Sequence, residues 1–118
     1  MFTEKLLEHF EHPKNAGELP GASALVEVSN PVCGDILQLA VIIETGVVRE
    51  ARFLCRGCAA SIACASVLTE KMIGHTLQEI SAREIAEELG GLPEASFHAA
   101  QLAADAAHAM LQRILDLD

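Results

Sequence analysis

The chain has no tryptophan, no tyrosine and only four phenylalanines among 118 residues. Its core must therefore be built from aliphatic side chains and close helix contacts, without the large rings that dominate many interiors. Positive charge is also scarce: 8 Lys and Arg stand against 17 Asp and Glu, a formal net charge of −9. That excludes the cationic surface needed to displace counterions from a phosphate backbone, so no nucleic acid is expected as a partner. No apolar run approaches the roughly 20 residues needed to cross a bilayer, and no membrane is expected either. The first segment, MFTEKLLEHFEHPKN, is interrupted by acidic residues and lacks the continuous apolar stretch of a secretory leader. Repeats and low-complexity tracts are absent as well. The expectation is a soluble acidic protein of the cytoplasm, one domain spanning residues 1–118.

What is present is 51% apolar residues, rich in Ala, Leu, Ile and Val, and four cysteines. In a reducing compartment disulfides rarely persist. Four cysteines then point to metal or sulfur chemistry, or to plain burial.

The hydrophobic pattern gives an element order. Residues 2–12 place Phe2, Leu6, Leu7 and Phe10 on one helical stripe, with Thr3 as cap and Pro13 as stop. Residues 13–24 read as loop. LVEVS (25–29), ILQLAVII (36–43) and VVREARFL (47–54) read as strands, the last two joined by a short turn. Leu37, Leu39, Val41 and Ile43 share one face of their strand; Val47, Ala51 and Phe53 share one face of theirs. From Cys58 to Ile73 the period becomes helical, and Gly74 suits a helix stop. Two capping boxes follow, Thr76-x-x-Glu79 and Ser81-x-x-Glu84, and predict two short helices ending at Leu89. GGLP (90–93) is loop. Residues 97–117 form a last helix with Leu102, Ala106, Met110 and Ile114 on one stripe. The fold class is α+β, a three-stranded antiparallel sheet with an N-terminal helix and several helices packed on one face.

Chemistry concentrates in three loops. In Cys33-Gly34-Asp35, an extended backbone puts the thiol and the carboxylate on the same side. Gly34 lets the chain bend, and Pro31 stiffens the approach. Two anionic groups held together need a cation between them; the alternative is a partly buried Cys beside a turn Asp. Cys58 falls at a strand-to-helix junction, where the helix dipole and free N–H groups favour a thiolate. Its alternative is an unreactive Cys in the cap region. Cys55-Arg56-Gly57-Cys58 also has the C-x-x-C spacing of thioredoxin-like redox pairs and zinc knuckles. The preceding hairpin argues against the parallel βαβ unit that a thioredoxin-like pair needs. Cys64 lies six residues past Cys58, rotated away from it at about 100° per residue, and reads as a small core residue. Cys55 is open between an inert strand end and a spare thiol. His98 opens the last helix, as a capping residue or as a ligand. His9, His12, His75 and His108 show no ligand spacing, and most of them read as solvated.

Taken together these segments resemble the iron–sulfur cluster assembly scaffold family, of the IscU/NifU N-terminal type. The resemblance rests on HPKNAGEL (12–19), NPVCGD (30–35), ARFLCRGCAASIACASVLTE (51–70), GHTLQEI (74–80) and LPEASFHAAQLAADA (92–106), which run in the family's order over nearly the whole chain. It implies the same fold with an open metal site at one end. Position by position, it implies Cys33, Asp35, Cys58 and His98 as ligands, with the aspartate linked to cluster lability. It also implies a role without turnover, not an enzyme: iron and a nascent [2Fe–2S] cluster are received, with sulfur from a cysteine desulfurase, and passed to apo iron–sulfur proteins. Zinc is the expected substitute in purified protein.

Two positions depart from the family's pattern. The third family cysteine, which should follow the histidine, is Ala99. The segment read by an Hsp70-type chaperone, LPPVK in the family, is LPEAS (92–96) here, which puts that chaperone's recognition in doubt. Ala99 also leaves two other readings: a zinc-binding sulfur acceptor for the desulfurase, and a degenerate scaffold homologue acting as an interaction module.

Overall fold

The structure is a computed structural model that describes residues 1–117; Asp118, the end of the expected domain, lies outside them. The elements run α1 (Glu4–Glu11), β1 (Ala24–Asn30), β2 (Asp35–Glu44), β3 (Val47–Arg56), α2 (Ala59–Met72), α3 (Ala82–Glu88) and α4 (Phe97–Leu117), with a 3₁₀ turn at Glu94–Ser96 leading into α4. The strands form one antiparallel sheet in the order β1-β2-β3. This is the α+β meander that the hydrophobic pattern predicts.

The β2–β3 turn is two residues long. Thr45 and Gly46 both have positive φ, 52° and 80°, as a type I′ hairpin turn requires. Register runs Glu44↔Val47 and Ile43↔Val48, after which Ile42 pairs with Glu50. Arg49 is thus the extra residue of a β-bulge, and a bulge reverses the alternation of the strand that carries it. In consequence Val48, not Val47, joins Ala51 and Phe53 in the core. The sequence expectation for that face was off by one residue at its first position.

Helix α2 packs on β3, and α4 packs on β1 and β2. Six buried alanines on α4 (Ala99, Ala100, Ala103, Ala104, Ala106 and Ala107) let its backbone come close to its neighbours. Leu37, Leu39 and Val41 of β2 meet Leu68 of α2 and Leu102 and Met110 of α4 in one core. Burying each such leucine contributes about 1.5–3 kcal/mol relative to exposure. The other two helices form an outer layer, α1 on α2 and α3 on α4. Since α1 packs mainly on α2, only a narrow stripe of it is covered. Leu6 is fully buried, whereas Leu7 and Phe10 stay 42% and 39% exposed, a correction to the four-residue stripe expected there.

A polar seam fixes the segment after α1. The Lys14 N–H donates to Ser66 Oγ at 2.8 Å, and Asn15 Nδ2 donates to Thr69 Oγ1 at 3.1 Å. His9 Nδ1 lies 2.7 Å from the same Ser66 Oγ, so His9 is a partly buried structural residue and not a solvated one. The segment then covers the outer edge of β3. Phe53 N–H donates to the Asn15 carbonyl at 3.0 Å, and Gly17 N–H donates to the Phe53 carbonyl at 2.8 Å. This bridge covers the edge of β3 at Phe53, where an unpaired edge would otherwise be open to another chain.

The first of the two expected short helices does not form. Thr76 makes an isolated antiparallel bridge with Val47, and the His75 carbonyl accepts from Val48 N–H at 2.9 Å. These backbone bonds to β3 outcompete the capping box. Glu79 is drawn to His108 on α4 at 2.6 Å instead of reaching back to Thr76. The second box does form α3, with Ser81 accepting from Glu84 N–H.

Candidate functional site

The stretch NPVCGD is a tight hairpin connection between β1 and β2. Asn30 pairs with Asp35, Val32 N–H donates to Asn30 Oδ1 at 2.9 Å, and Gly34 N–H donates to the Asn30 carbonyl at 2.7 Å. Gly34 sits at φ +77°, in the region that favours glycine. This turn separates the two residues expected on one side. Cys33 stands exposed at its tip, and Asp35, the first residue of β2, turns inward and is buried. The backbone there is a turn and not extended, which is why alternation does not apply.

Asp35 Oδ2 is the centre of the site. Cys58 Sγ lies 3.6 Å from it and His98 Nε2 4.0 Å from it. One ligand atom each from Asp35, Cys58 and His98 fits within 4.8 Å of the others. These three come from the start of β2, the start of α2 and the start of α4. Cys33 is not within that group.

Local geometry orients two of the three, and a bond from another element orients the third. Cys58 is the N-cap of α2, with φ −77° and ψ 169°, and its side chain makes no capping hydrogen bond. The sulfur is therefore free to face the site. His98 Nδ1 lies 3.1 Å from the Ala95 carbonyl. A carbonyl only accepts, so the proton sits on Nδ1 and the Nε2 lone pair is left for a ligand, the usual arrangement for a metal-binding histidine. Asp35 is held by Ser61, whose Oγ donates to Oδ2 at 2.5 Å. Gly57 gives it room: a Cβ there would stand 2.8 Å from Asp35 Cγ and 2.9 Å from Oδ2. Gly57 has no positive φ, so it is needed for space and not for backbone freedom.

Sequence reasoning missed Ser61 and Gly57. Ser61 was legible in principle, because residues three apart on a helix share a side and Ser61 follows Cys58 by three. Gly57 was not, because the close approach comes from a carboxylate 22 positions earlier in the chain.

The other cysteines separate clearly. Cys64 is fully buried in the core. Burial, with smaller contributions from Cys58 and Cys55, pushes its thiol up to about 12. Cys55 pairs opposite Leu37 and packs against the core. Burial, then the charges of Asp35 and Cys58, push it up to about 11. Neither belongs to the group that converges on Asp35, and burial makes each a poorer source of thiolate than an exposed cysteine. Ala99, next to His98, is 1% exposed. Its methyl group is part of the core and offers no donor.

A carboxylate, a thiol and an imidazole converge from three element starts, a donor set of the kind that could hold a borderline metal ion. The family described as NifU-like N terminal domain matches residues 1–115, and the chain belongs to that family. Among similar proteins, the iron-sulfur cluster assembly scaffold protein IscU 1 of Archaeoglobus fulgidus is 38% identical over 109 residues, covering 90% of this chain and 71% of the relative. The IscU scaffold of Azotobacter vinelandii is 37% identical over 118 residues, covering 94% and 91%. In backbone, the N-terminal part of a nitrogen-fixing NifU-like protein from Brucella abortus superposes with a TM-score of 0.76 at 21% identity, over 97% of this chain and 94% of that one. That likeness confirms the fold.

Proposed function

We propose that this protein is an iron–sulfur cluster assembly scaffold. Iron and sulfur meet on it, a [2Fe–2S] cluster forms, and the cluster leaves for an apo-protein. The cluster is cargo, not a resident cofactor. The observation that carries the reading is the convergence of Asp35, Cys58 and His98, with Cys58 exposed, in a chain similar over most of its length to proteins named as scaffolds.

The residues divide the work. Cys58 and His98 supply a thiolate and an imidazole, which suit iron and zinc alike. Asp35 supplies a harder oxygen ligand, which weakens the hold on iron relative to a third thiolate and favours release. Cys33, on the exposed hairpin tip, completes the set from the solvent side, where it is also reachable by a donor of sulfur. A cysteine desulfurase is that donor, and apo iron–sulfur proteins are the recipients. Zinc binds the same residues as a substitute. The chain performs no turnover chemistry of its own and works in the cytoplasm, where its free cysteines stay reduced. The LPEAS segment, which becomes the 3₁₀ turn before α4, gives no support to an Hsp70-type partner.

Anaerobic reconstitution with iron and sulfide tests this. The expected result is the visible charge-transfer absorption of a cluster, with iron and acid-labile sulfide retained after desalting. Cys58→Ser and His98→Ala lose both. Wild-type protein that retains neither iron nor sulfide refutes the reading.

A further inference from the structure

Three groups converge on a single oxygen, and one of them is not a metal ligand by type. Ser61 is 2% exposed. Its Oγ is 2.5 Å from Asp35 Oδ2 and 3.4 Å from Cys58 Sγ. The one hydroxyl proton has two acceptors to choose from, and the shorter contact, to a carboxylate, takes it. The serine sits at the third position of α2 and bonds across to β2, 26 residues away. The bond therefore fixes a side chain on one element from another. Gly57 also packs close against the carboxylate, since a Cβ there would stand 2.8 Å from Asp35 Cγ. The carboxylate is thus held by a donor and crowded by the Gly57 backbone, with Oδ2 3.6 Å from Cys58 Sγ and 4.0 Å from His98 Nε2.

We infer that Ser61 is a positioning residue of the scaffold site, whose hydroxyl holds Asp35 in the orientation from which it shares a cation with Cys58 and His98. The inference rests on the reading that these three residues take a cation. Ser61 does not touch the metal. It removes rotational freedom from the carboxylate ligand, and so sets how tightly the cargo is held. Outer-shell partners of this kind typically change metal affinity by roughly 10- to 100-fold when removed.

Co²⁺, a spectroscopic stand-in for iron and zinc, is the probe. The full chain is titrated as wild type, Ser61→Ala, Asp35→Ala and the double variant, with thermal unfolding of each metal-free protein as a control. Alanine is a good helix former, and the double variant leaves no buried polar partner unpaired. The expected result is a loss of about 10- to 100-fold in Co²⁺ affinity for Ser61→Ala, with the sulfur-to-cobalt absorption of Cys58 regained at saturation. In the Asp35→Ala background, adding Ser61→Ala changes nothing further. A merely structural serine gives the opposite result, the same loss in both backgrounds, and that overturns the inference. So does a Ser61→Ala protein that binds Co²⁺ like the wild type. Wild-type protein that takes up no Co²⁺ at all overturns the cation site itself.

Discussion

Gly57→Ala puts one methyl group where the structure has room for none. Its Cβ would lie 2.8 Å from Asp35 Cγ, 2.9 Å from Oδ2 and 3.1 Å from Asp35 Cβ. Atoms at such distances repel strongly, and the clash is with the stem of a short side chain that cannot swing aside without leaving Ser61. Overpacking of this kind costs about 1–3 kcal/mol. For a domain of this size each kcal/mol lowers the melting temperature by roughly 4 °C, which predicts a fall of about 4–12 °C. The backbone contributes little to that loss, because Gly57 lies outside the positive-φ region. The functional effect is expected to exceed the stability effect, since the displaced atom belongs to a proposed ligand. Differential scanning fluorimetry reads the first, and Co²⁺ titration with iron–sulfide reconstitution reads the second. Combining Gly57→Ala with Asp35→Ala removes the two nearest clashing atoms, and most of the lost stability returns while metal binding stays impaired. A Gly57→Ala protein that melts and binds Co²⁺ like the wild type refutes the packing argument, because Asp35 would then not be wedged against that backbone.

Cys55→Ser leaves iron and sulfide retention within about twofold of wild type by the same reconstitution assay, because its thiol packs against the core and lies outside the group that converges on Asp35. Alkaline stability tests the buried thiols. Cys64 keeps its proton to about 12 in the folded chain against 9.0 as the ordinary value, so above the ordinary value the unfolded chain loses protons that the folded chain keeps, and stability falls as pH rises. Denaturant midpoints measured from pH 8 upward should therefore drop less steeply in Cys64→Ala than in wild type, although Cys64→Ala starts from a lower value. Thr3→Ala removes both a cap that accepts from Leu6 N–H and a hydroxyl that donates to the Leu89 carbonyl. A loss of about 1–2 kcal/mol is expected from urea unfolding, and a protein of unchanged midpoint would show that α1 is not fastened there.

The amino-acid sequence by itself determined the order and type of nearly every element, because those follow from local periodicity and turn chemistry. Alternation in residues 36–43, a Thr-Gly turn with its two positive φ values, and a serine ahead of α3 each act over a few residues and leave a readable mark. The same holds for the position of Cys58, since a strand that ends at Arg56 and a helix that starts at Ala59 put it at a helix cap. Local signals failed where a distant partner intervened. The Thr76 box lost to backbone bonds with Val47 and Val48, the bulge at Arg49 was set by pairing with β2, and Leu7 and Phe10 stayed exposed because α1 packs mainly on α2. Cys33 and Asp35 were parted by a turn whose geometry depends on Asn30 pairing with Asp35 across the hairpin. Only the tertiary structure could decide the site itself. The oxygen of Asp35, the sulfur of Cys58 and the nitrogen of His98 come from three element starts separated by 23 and 40 residues along the chain. Their meeting depends on α2 and α4 packing against the same sheet, with Gly57 yielding the space and Ser61 supplying the bond that holds the carboxylate in place.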